Sequence, residues 1–345
     1  MNIDIASLHA ATWAALQARR ARLPHALLFS GQRGLGKLDL AAAFAAGLLC
    51  EQPTSDGHAC GQCLACGWYA QGNHPDFRLL QSDAVSEAEG DGEEAKEGKK
   101  KASRQITIDQ VRGLDDFLGV GTHRAGYRVV LVNPAEAMNR ATANALLKTL
   151  EEPAPDTVFL LVTHEPMRLL PTIRSRCQVV DIPLPPLAAA RDCLLAAGVA
   201  KADEWLALAG GAPLLAHQLA QSGQGDYLLA LTRQLQQGEK LDPLVGAAAI
   251  DKMLKDSKGG WGLPQVVEWV QKWVVDLTLA RNGLAVRYFV QSAEIMAALV
   301  ASVPEVRLLR YHRRLLECRR EVEQPLNARL FLEEFFLNYR ALFND

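Results

Sequence analysis

The 345-residue chain is long enough for two or three domains of ~100–200 residues each. Its 49% hydrophobic and 22% charged residues suffice for buried cores, and its net charge of −2 excludes a basic field over the whole molecule for holding nucleic acid. The N-terminus does not resemble a secretory signal, and no stretch approaches the ~18 uninterrupted apolar residues of a membrane span, so we expect a cytoplasmic protein that contacts no membrane.

The first 182 residues alternate short apolar runs with helix-like patterns. Runs typical of buried strands occupy 26–29, 77–80, 127–132, 157–163 and 178–182, and helical spacing occupies 38–49, 108–118 and 139–150. Strands that alternate with helices predict a parallel sheet with helices on both of its faces. We therefore expect residues 1–182 to form one α/β domain.

The segment 82–104 interrupts this pattern. Acidic residues crowd it from Glu87 to Glu97, three lysines follow at 99–101, and large apolar residues are almost missing. Such a composition cannot bury enough surface to offset the entropy lost on ordering. It predicts a disordered surface insertion, with a docking tail for a partner as the alternative.

Beyond Pro183 the strand pattern gives way to helices only. Helical segments are predicted at 187–197, 203–208 and 214–221, with longer amphipathic segments from about 227 to the C-terminus. Glycine pairs separate them. The pattern predicts an all-α part made of a small domain at 183–222 and a larger one at 223–345. The apolar stripes of the larger domain are typical of a helix–helix core.

Residues 31–38 read GQRGLGKL between a strand run and a helix, which is the setting of a phosphate-binding loop. Gly31, Gly34 and Gly36 would let backbone N–H groups converge on phosphate oxygens, while Lys37 would neutralise their charge. The alternative interpretation is a glycine turn that only joins strand to helix.

The magnesium ligands of such a site are missing. The position after Lys37 needs a Ser or Thr hydroxyl but holds Leu38, and the strand 127–132 ends in Asn133 and Pro134 where a carboxylate is needed. These losses together argue against hydrolysis. We expect no magnesium site and regard ATP binding as doubtful.

Four of the seven cysteines lie close together, in the spacing C-x9-C-x2-C-x2-C at Cys50, Cys60, Cys63 and Cys66. Two-residue gaps allow thiolates to converge on one ion, and four sulfurs close a tetrahedral shell. The spacing favours one structural zinc in a module of about 50–76. An iron–sulfur cluster and free thiols are the alternatives, and two nearby histidines are possible substitute ligands: His58 and His74.

Three stretches resemble bacterial clamp-loader subunits of the AAA+ superfamily: RLPHALLF at 22–29, NALLKTLEEP at 144–153 and IRSRC at 173–177. The cysteine cluster resembles the one that the motor and delta-prime families of DNA polymerase III share. The degenerate loop and the lost magnesium carboxylate resemble delta-prime. The resemblance is dense up to about Pro183 and thin over the last 120 or so residues.

The resemblance implies an AAA+ sheet domain, a helical lid at 183–222 and a collar domain at 223–345 that joins subunits in a ring. It implies that Arg176 is an arginine finger for a neighbouring subunit's ATP, supported by Ser175 and Cys177. The alternative for Arg176 is a surface arginine that caps a helix end or pairs with an acidic residue. Arg174 is a possible mis-assignment, and its expected role is to position the loop. Thr163 matches the first sensor residue, and Leu214 stands where motor subunits carry a sensing arginine.

The implied function is a non-hydrolysing subunit that helps to load the sliding clamp onto primed DNA. Its partners would be the ATPase motor subunits and the clamp-opening delta subunit. An autonomous ATPase with unusual magnesium ligation and a zinc-dependent nucleic-acid-binding module are the rival interpretations. The arginine-rich helix predicted at 304–323 could touch phosphates, but a solvated or inter-subunit face fits the near-neutral charge better.

Overall fold

A computed structural model describes residues 8–82, 103, 105–123, 126–257, 261–322 and 324–344. Apart from the first residues, the chain divides into two compact units, one ending at Pro185 and the other beginning at Pro186. Most of the predicted insertion at 82–104 lies outside the described residues. The further division of the helical part into 183–222 and 223–345 stays a prediction.

The first unit is built on a five-stranded sheet in the order β2-β3-β4-β1-β5, with every pair of neighbours parallel. The strands are β1 (Ala26–Ser30), β2 (Phe77–Gln81), β3 (Arg128–Asn133), β4 (Thr157–Thr163) and β5 (Gln178–Asp181). The three central strands are buried at every residue, as their continuous apolar runs predict. The expected parallel sheet is confirmed.

Helices connect these strands, and several begin at side-chain caps. The helices of this unit are α1 (Ala10–Ala18), α2 (Lys37–Leu49), α3 (Leu64–Ala70), α4 (Ile108–Gly119), α5 (Arg140–Glu151) and α6 (Pro171–Arg174). Thr107 and Gln110 form a reciprocal capping box at the start of α4, and Asn139 caps α5. Each cap satisfies backbone N–H groups that the first helical turn leaves unpaired.

The register of the sheet brings the ends of β1, β3 and β4 to one edge. Ser30 of β1 pairs with Thr163 of β4, and Val132 of β3 pairs with Leu161 of β4. The segments that follow these three strands therefore start at the same carboxyl edge, where ligands of open α/β sheets bind. The phosphate-loop sequence follows β1 at this edge.

The second unit consists of helices around one apolar core that extends from Ala190 to Leu342. Its helices are α7 (Leu187–Ala196), α8 (Ala202–Leu208), α9 (Pro213–Gln221), α10 (Gly225–Leu235), α11 (Pro243–Asp256), α12 (Leu263–Arg281), α13 (Ala293–Val300), α14 (Glu305–Glu321) and α15 (Ala328–Arg340). Trp269 and Trp273 of α12 are completely buried in this core. Among the described helices, none has the length and apolar character needed to cross a membrane.

Candidate functional site

The loop at 31–36, which the sequence predicts to bind phosphate, turns at its glycines. Gly34 and Gly36 take φ values of 81° and 77°, in the left-handed region that favours glycine. At Gly31 a Cβ atom would lie 2.7 Å from the carbonyl oxygen of Ile182, so a side chain would collide with the backbone. The local sequence therefore builds a loop that ends at the N-terminus of α2.

Lys37 is turned onto its own loop. Its Nζ atom donates hydrogen bonds to the carbonyl oxygens of Gly31 (2.8 Å) and Gln32 (2.6 Å), and the residue is only 2% exposed. Burial lowers the pKa of Lys37 to about 8, against an opposing effect of the Glu136 carboxylate. The Lys37 ammonium, which would neutralise a bound phosphate, is thus hydrogen-bonded to carbonyl oxygens of its own loop.

The end of β3 carries a neutral side chain where a motor holds magnesium. Asn133 is 6% exposed, and its Oδ1 atom has no hydrogen-bond partner among the described residues. Leu38 offers no hydroxyl at the start of α2. The two residues that should hold magnesium therefore supply one amide oxygen and no charge.

A carboxylate that the sequence interpretation missed lies at the same edge. Glu136 follows Asn133 by three residues, and its Oε1 atom accepts a hydrogen bond from the backbone N–H of His164 (2.9 Å). Its other oxygen, Oε2, is buried and has no partner among the described residues. The sequence signal was weak, because an acidic residue three positions beyond a strand end is ordinary in a surface loop.

Thr163 at the end of β4 has a local structural role. It is fully buried, and its hydroxyl accepts a hydrogen bond from the backbone N–H of Glu165 (3.2 Å). The hydroxyl thus fixes the turn that follows β4.

The four cysteines predicted to bind metal converge at one point. Their Sγ atoms all lie within 4.8 Å of one another, and the closest pairs are 3.6, 3.8 and 3.9 Å apart. A zinc ion with Zn–S bonds of ~2.3 Å places the sulfurs of a tetrahedron about 3.8 Å apart. The cluster can therefore hold a metal ion, and its size fits zinc.

Backbone N–H groups surround the sulfurs, as they do in structural metal sites. The N–H of Cys60 points at Cys50 Sγ (3.3 Å), that of Cys63 at Cys60 Sγ (3.3 Å), and that of Cys66 at Cys63 Sγ (3.4 Å). Burial raises the pKa of Cys63, but backbone N–H groups of Cys66 and Glu51, together with hydrogen bonds to the thiols of Cys66 and Cys60, lower it to about 6. The N–H groups thus favour a thiolate, which is the form that binds metal.

Neither candidate histidine belongs to the cysteine cluster. The ring of His58 stacks on Trp13 of α1 at a centroid distance of 4.1 Å, and His74 Nδ1 accepts from the backbone N–H of Asp76. Trp13 also donates from Nε1 to the carbonyl oxygen of Asp56 (2.8 Å). The N-terminal helix therefore holds the cysteine module in place.

Arg176 follows α6 at the surface of the first unit, with 34% of its side chain exposed. Its Nη2 atom lies 2.5 Å from Glu151 Oε1, at the end of α5, and its Nη1 atom donates to the carbonyl oxygen of Thr172 (3.0 Å). The guanidinium is thus held in one orientation by two acceptors. Both acceptors belong to its own chain.

The residues around Arg176 support the turn in which it lies. Ser175 donates from Oγ to the Thr172 carbonyl oxygen (3.0 Å). Cys177 is buried, and burial raises the pKa of its thiol to about 12, so it behaves as a small apolar residue. Arg174 lies against Pro166 and Met167 in the preceding loop.

The chain is similar to known proteins. The family described as "DNA polymerase III, delta subunit" matches residues 9–186 of the chain. The chain is 35% identical over 350 aligned positions to DNA polymerase III subunit delta' of Pseudomonas aeruginosa, and the alignment covers 98% of both proteins. The chain belongs to the DNA polymerase III delta' family. The resemblance carried by the sequence motifs is thereby confirmed.

Two further relatives match a little under half of this chain, and one solved structure aligns along most of it. DNA polymerase III subunit delta' of Escherichia coli K12 is 38% identical over 163 residues, which are 47% of this chain and 43% of the relative. Subunit tau of the same organism is 36% identical over 156 residues, 45% of this chain and 21% of the relative. A gamma subunit-related protein from Thermotoga maritima superposes with a TM-score of 0.44 at 18% identity, covering 96% of this chain and 100% of its own.

The arginine-rich helix of this delta' family member is α14. Arg314 is committed to ion pairs with three carboxylates of its own unit, at 3.2, 2.6 and 2.9 Å: Glu317, Glu321 and Glu334. Arg307 donates to the carbonyl oxygen of Asn344. These two arginines serve the packing of their own unit, which reduces the basic face expected from the sequence.

Proposed function

We propose that this chain is a non-hydrolysing subunit of the replicative clamp loader. With ATPase motor subunits and a clamp-opening delta subunit, it would help to load the sliding clamp onto primed DNA. Family membership along nearly the whole length supports the assembly. The observation that carries the non-hydrolysing role is the replacement of both magnesium ligands, by Leu38 and by the neutral, buried Asn133.

In this proposal Arg176 is an arginine finger given to the ATP of a neighbouring motor subunit. A guanidinium beside the γ-phosphate stabilises the charge that spreads over the transferred oxygens, and such a residue is worth ~10³–10⁵ in rate. The partial exposure of Arg176 supports the role, because a finger must reach beyond its own domain. Ser175 and Cys177 would hold the turn that presents it.

The cysteine cluster is proposed to bind one structural zinc ion. Four sulfur ligands close the coordination shell and leave no position for a water molecule, so the ion would stabilise the module and take no part in chemistry. Cys50, at the end of α2, would connect the module to the helix that begins at Lys37.

The test of the finger is a clamp loader reconstituted with the motor and delta subunits of the same organism. Arg176→Ala should lower turnover at the one ATP site it completes by ~10³-fold, so the complex loses that site's share of its ATPase. The matched control is Arg168→Ala, an exposed arginine of the same region that pairs with Glu165 at 3.5 Å. If both variants keep full turnover, the finger role is wrong.

The second candidate function is an autonomous ATPase, because Glu136 places a carboxylate at the edge where magnesium would bind. Incubation of the purified chain with ATP and Mg²⁺ separates the two. We expect no turnover above the buffer background. Steady turnover that Lys37→Ala abolishes would favour the ATPase and contradict the non-hydrolysing role.

A further inference from the structure

The four cysteines of the cluster are brought together in two different ways. Cys60, Cys63 and Cys66 follow one another at two-residue intervals, and the Cys63 thiol also caps α3 by accepting from the backbone N–H of Cys66 (3.4 Å). Cys50 lies at the end of α2, and nine residues separate it from Cys60. Short intervals keep three of the thiols close to one another. The distance from Cys50 to these three depends on how the loop 51–59 is held.

A turn closes the second half of this loop. The backbone N–H of Gly57 donates to the carbonyl oxygen of Thr54 (2.9 Å), and the N–H of Thr54 donates to the carbonyl oxygen of His58 (2.9 Å). Residues 51–56 are exposed, whereas Gly57 is buried. Another part of the chain therefore covers the turn at Gly57.

Helix α1 covers the turn with one of its faces. Trp13 donates from Nε1 to the carbonyl oxygen of Asp56 (2.8 Å), and its ring stacks on the His58 ring at a centroid distance of 4.1 Å and an interplanar angle of 5°. Gln17 lies against Gly57 so closely that a Cβ atom at Gly57 would overlap with the Gln17 amide. Residues four positions apart share a helix face, so Trp13 and Gln17 hold the loop together.

The same helix is also attached to α2. The Trp13 ring is only 6% exposed and meets the Phe44 ring edge-on at 6.2 Å. Arg20, just beyond the end of α1, donates from Nη2 to the carbonyl oxygen of Gly47 (2.8 Å). Phe44 and Gly47 belong to the helix that ends beside Cys50. Helix α1 therefore contacts both the helix that leads to Cys50 and the loop that follows it.

We propose that Trp13 is a positioning residue of the metal centre and sets how tightly the four cysteines hold zinc. Its indole fixes the loop 51–59, and with it the distance between Cys50 and the other three thiols, before the metal binds. A loop that is already ordered loses less conformational entropy on binding. This inference rests on the proposed structural zinc and deepens it, because the strength of binding would depend on a helix that supplies no ligand.

Trp13→Ala and His58→Ala test the inference from the two sides of the stack. Each should raise the dissociation constant for zinc ~10–100-fold, which is the loss found when partners outside the ligand shell of a metal are removed. Trp13→Phe keeps a ring that can stack and loses the bond to Asp56, so it should recover part of the affinity. The measurement is competition between the zinc-loaded full chain and the chromophoric chelator pyridylazoresorcinol, with circular dichroism to show that each variant folds.

The matched control is Leu114→Ala. Leu114 is 2% exposed on α4, in a core cluster that α4 shares with α5 and the sheet of the same unit. Its truncation should lower the urea midpoint of the unit and leave the dissociation constant for zinc unchanged. A general loss of stability is thereby separated from a loss of metal affinity.

Zinc held as tightly by Trp13→Ala and His58→Ala as by the natural chain overturns the inference and leaves the zinc assignment intact. If Trp13→Ala does not fold, His58→Ala decides alone, since it changes only the loop side of the stack. An equal loss of affinity in Leu114→Ala also overturns the inference, because general destabilisation would then be the cause. A natural chain that holds no zinc contradicts the assignment itself, and the inference falls with it.

Discussion

The carboxylate of Asp276 is a buried charged group of the helical unit that holds three backbone N–H groups. It is fully buried on α12 and accepts three backbone hydrogen bonds, from Arg287 (2.7 Å), Tyr288 (2.9 Å) and Phe289 (2.7 Å). These bonds hold the segment after α12 against the helix, where Phe289 packs edge-on against Trp273 at 5.2 Å. Removing the carboxylate should therefore loosen the segment.

The expected loss follows from the number and type of these bonds. A hydrogen bond to a charged group contributes ~1.5–3 kcal/mol, and a buried donor left unpaired costs ~1–3 kcal/mol. Asp276→Ala leaves three N–H groups without an acceptor, and the partly exposed ones can reach water, so we expect a loss of about 3–5 kcal/mol. Asp276→Asn keeps one oxygen in place of two and should lose about 1–3 kcal/mol.

Urea unfolding followed by circular dichroism and tryptophan fluorescence measures these losses as a shift of the midpoint. The matched control is Asp256→Asn, which removes the same charge from an exposed position at the end of α11 and should change stability by less than ~0.5 kcal/mol. If Asp276→Ala unfolds at the same urea concentration as the control, the three hydrogen bonds do not stabilise the unit as argued.

Two further outcomes are expected. Metal analysis after purification without chelators should give about one zinc per chain. Cys63→Ser should lose the zinc, whereas the control Cys193→Ser, which changes a cysteine outside the cluster, should keep it. Iron, or no metal, would contradict the assignment. Burial and then Lys37 lower the pKa of His164 from 6.5 to about 4. Between pH 6.5 and 4 the unfolded chain protonates His164 while the folded chain keeps the ring neutral. The contribution of His164 to the free energy of unfolding is therefore complete above pH 6.5 and is lost as the pH falls toward 4. His164→Gln should flatten this part of the stability–pH profile; a profile that overlays the natural chain's would refute it.

The features predicted well from sequence are those that a short stretch determines. The apolar runs at 26–29 and 157–163 became the buried strands Ala26–Ser30 and Thr157–Thr163, because a strand covered on both faces needs continuous apolar residues. The helix predicted at 38–49 is Lys37–Leu49. The cysteine spacing likewise predicted a convergence that the sulfur distances bear out.

Long-range contacts were beyond the sequence interpretation. The stacking of His58 on Trp13 joins residues that no local pattern connects. Glu136 attracted no attention, because its importance depends on the order of β3, β4 and β1 and on a backbone bond to His164. Its buried, unpaired oxygen can be recognised only in three dimensions.

The ion pair of Arg176 with Glu151 raises the question whether the Arg176 side chain can turn from Glu151 toward a neighbouring subunit. With 34% and 49% of the two side chains exposed, such a pair is worth ~0.2–1 kcal/mol. A finger that accelerates hydrolysis by ~10³ contributes about 4 kcal/mol to the transition state of its partner. Since the second quantity exceeds the first severalfold, Glu151 can orient Arg176 without holding it back from a neighbouring γ-phosphate. The contact is therefore compatible with the proposed finger, although it occupies the same guanidinium.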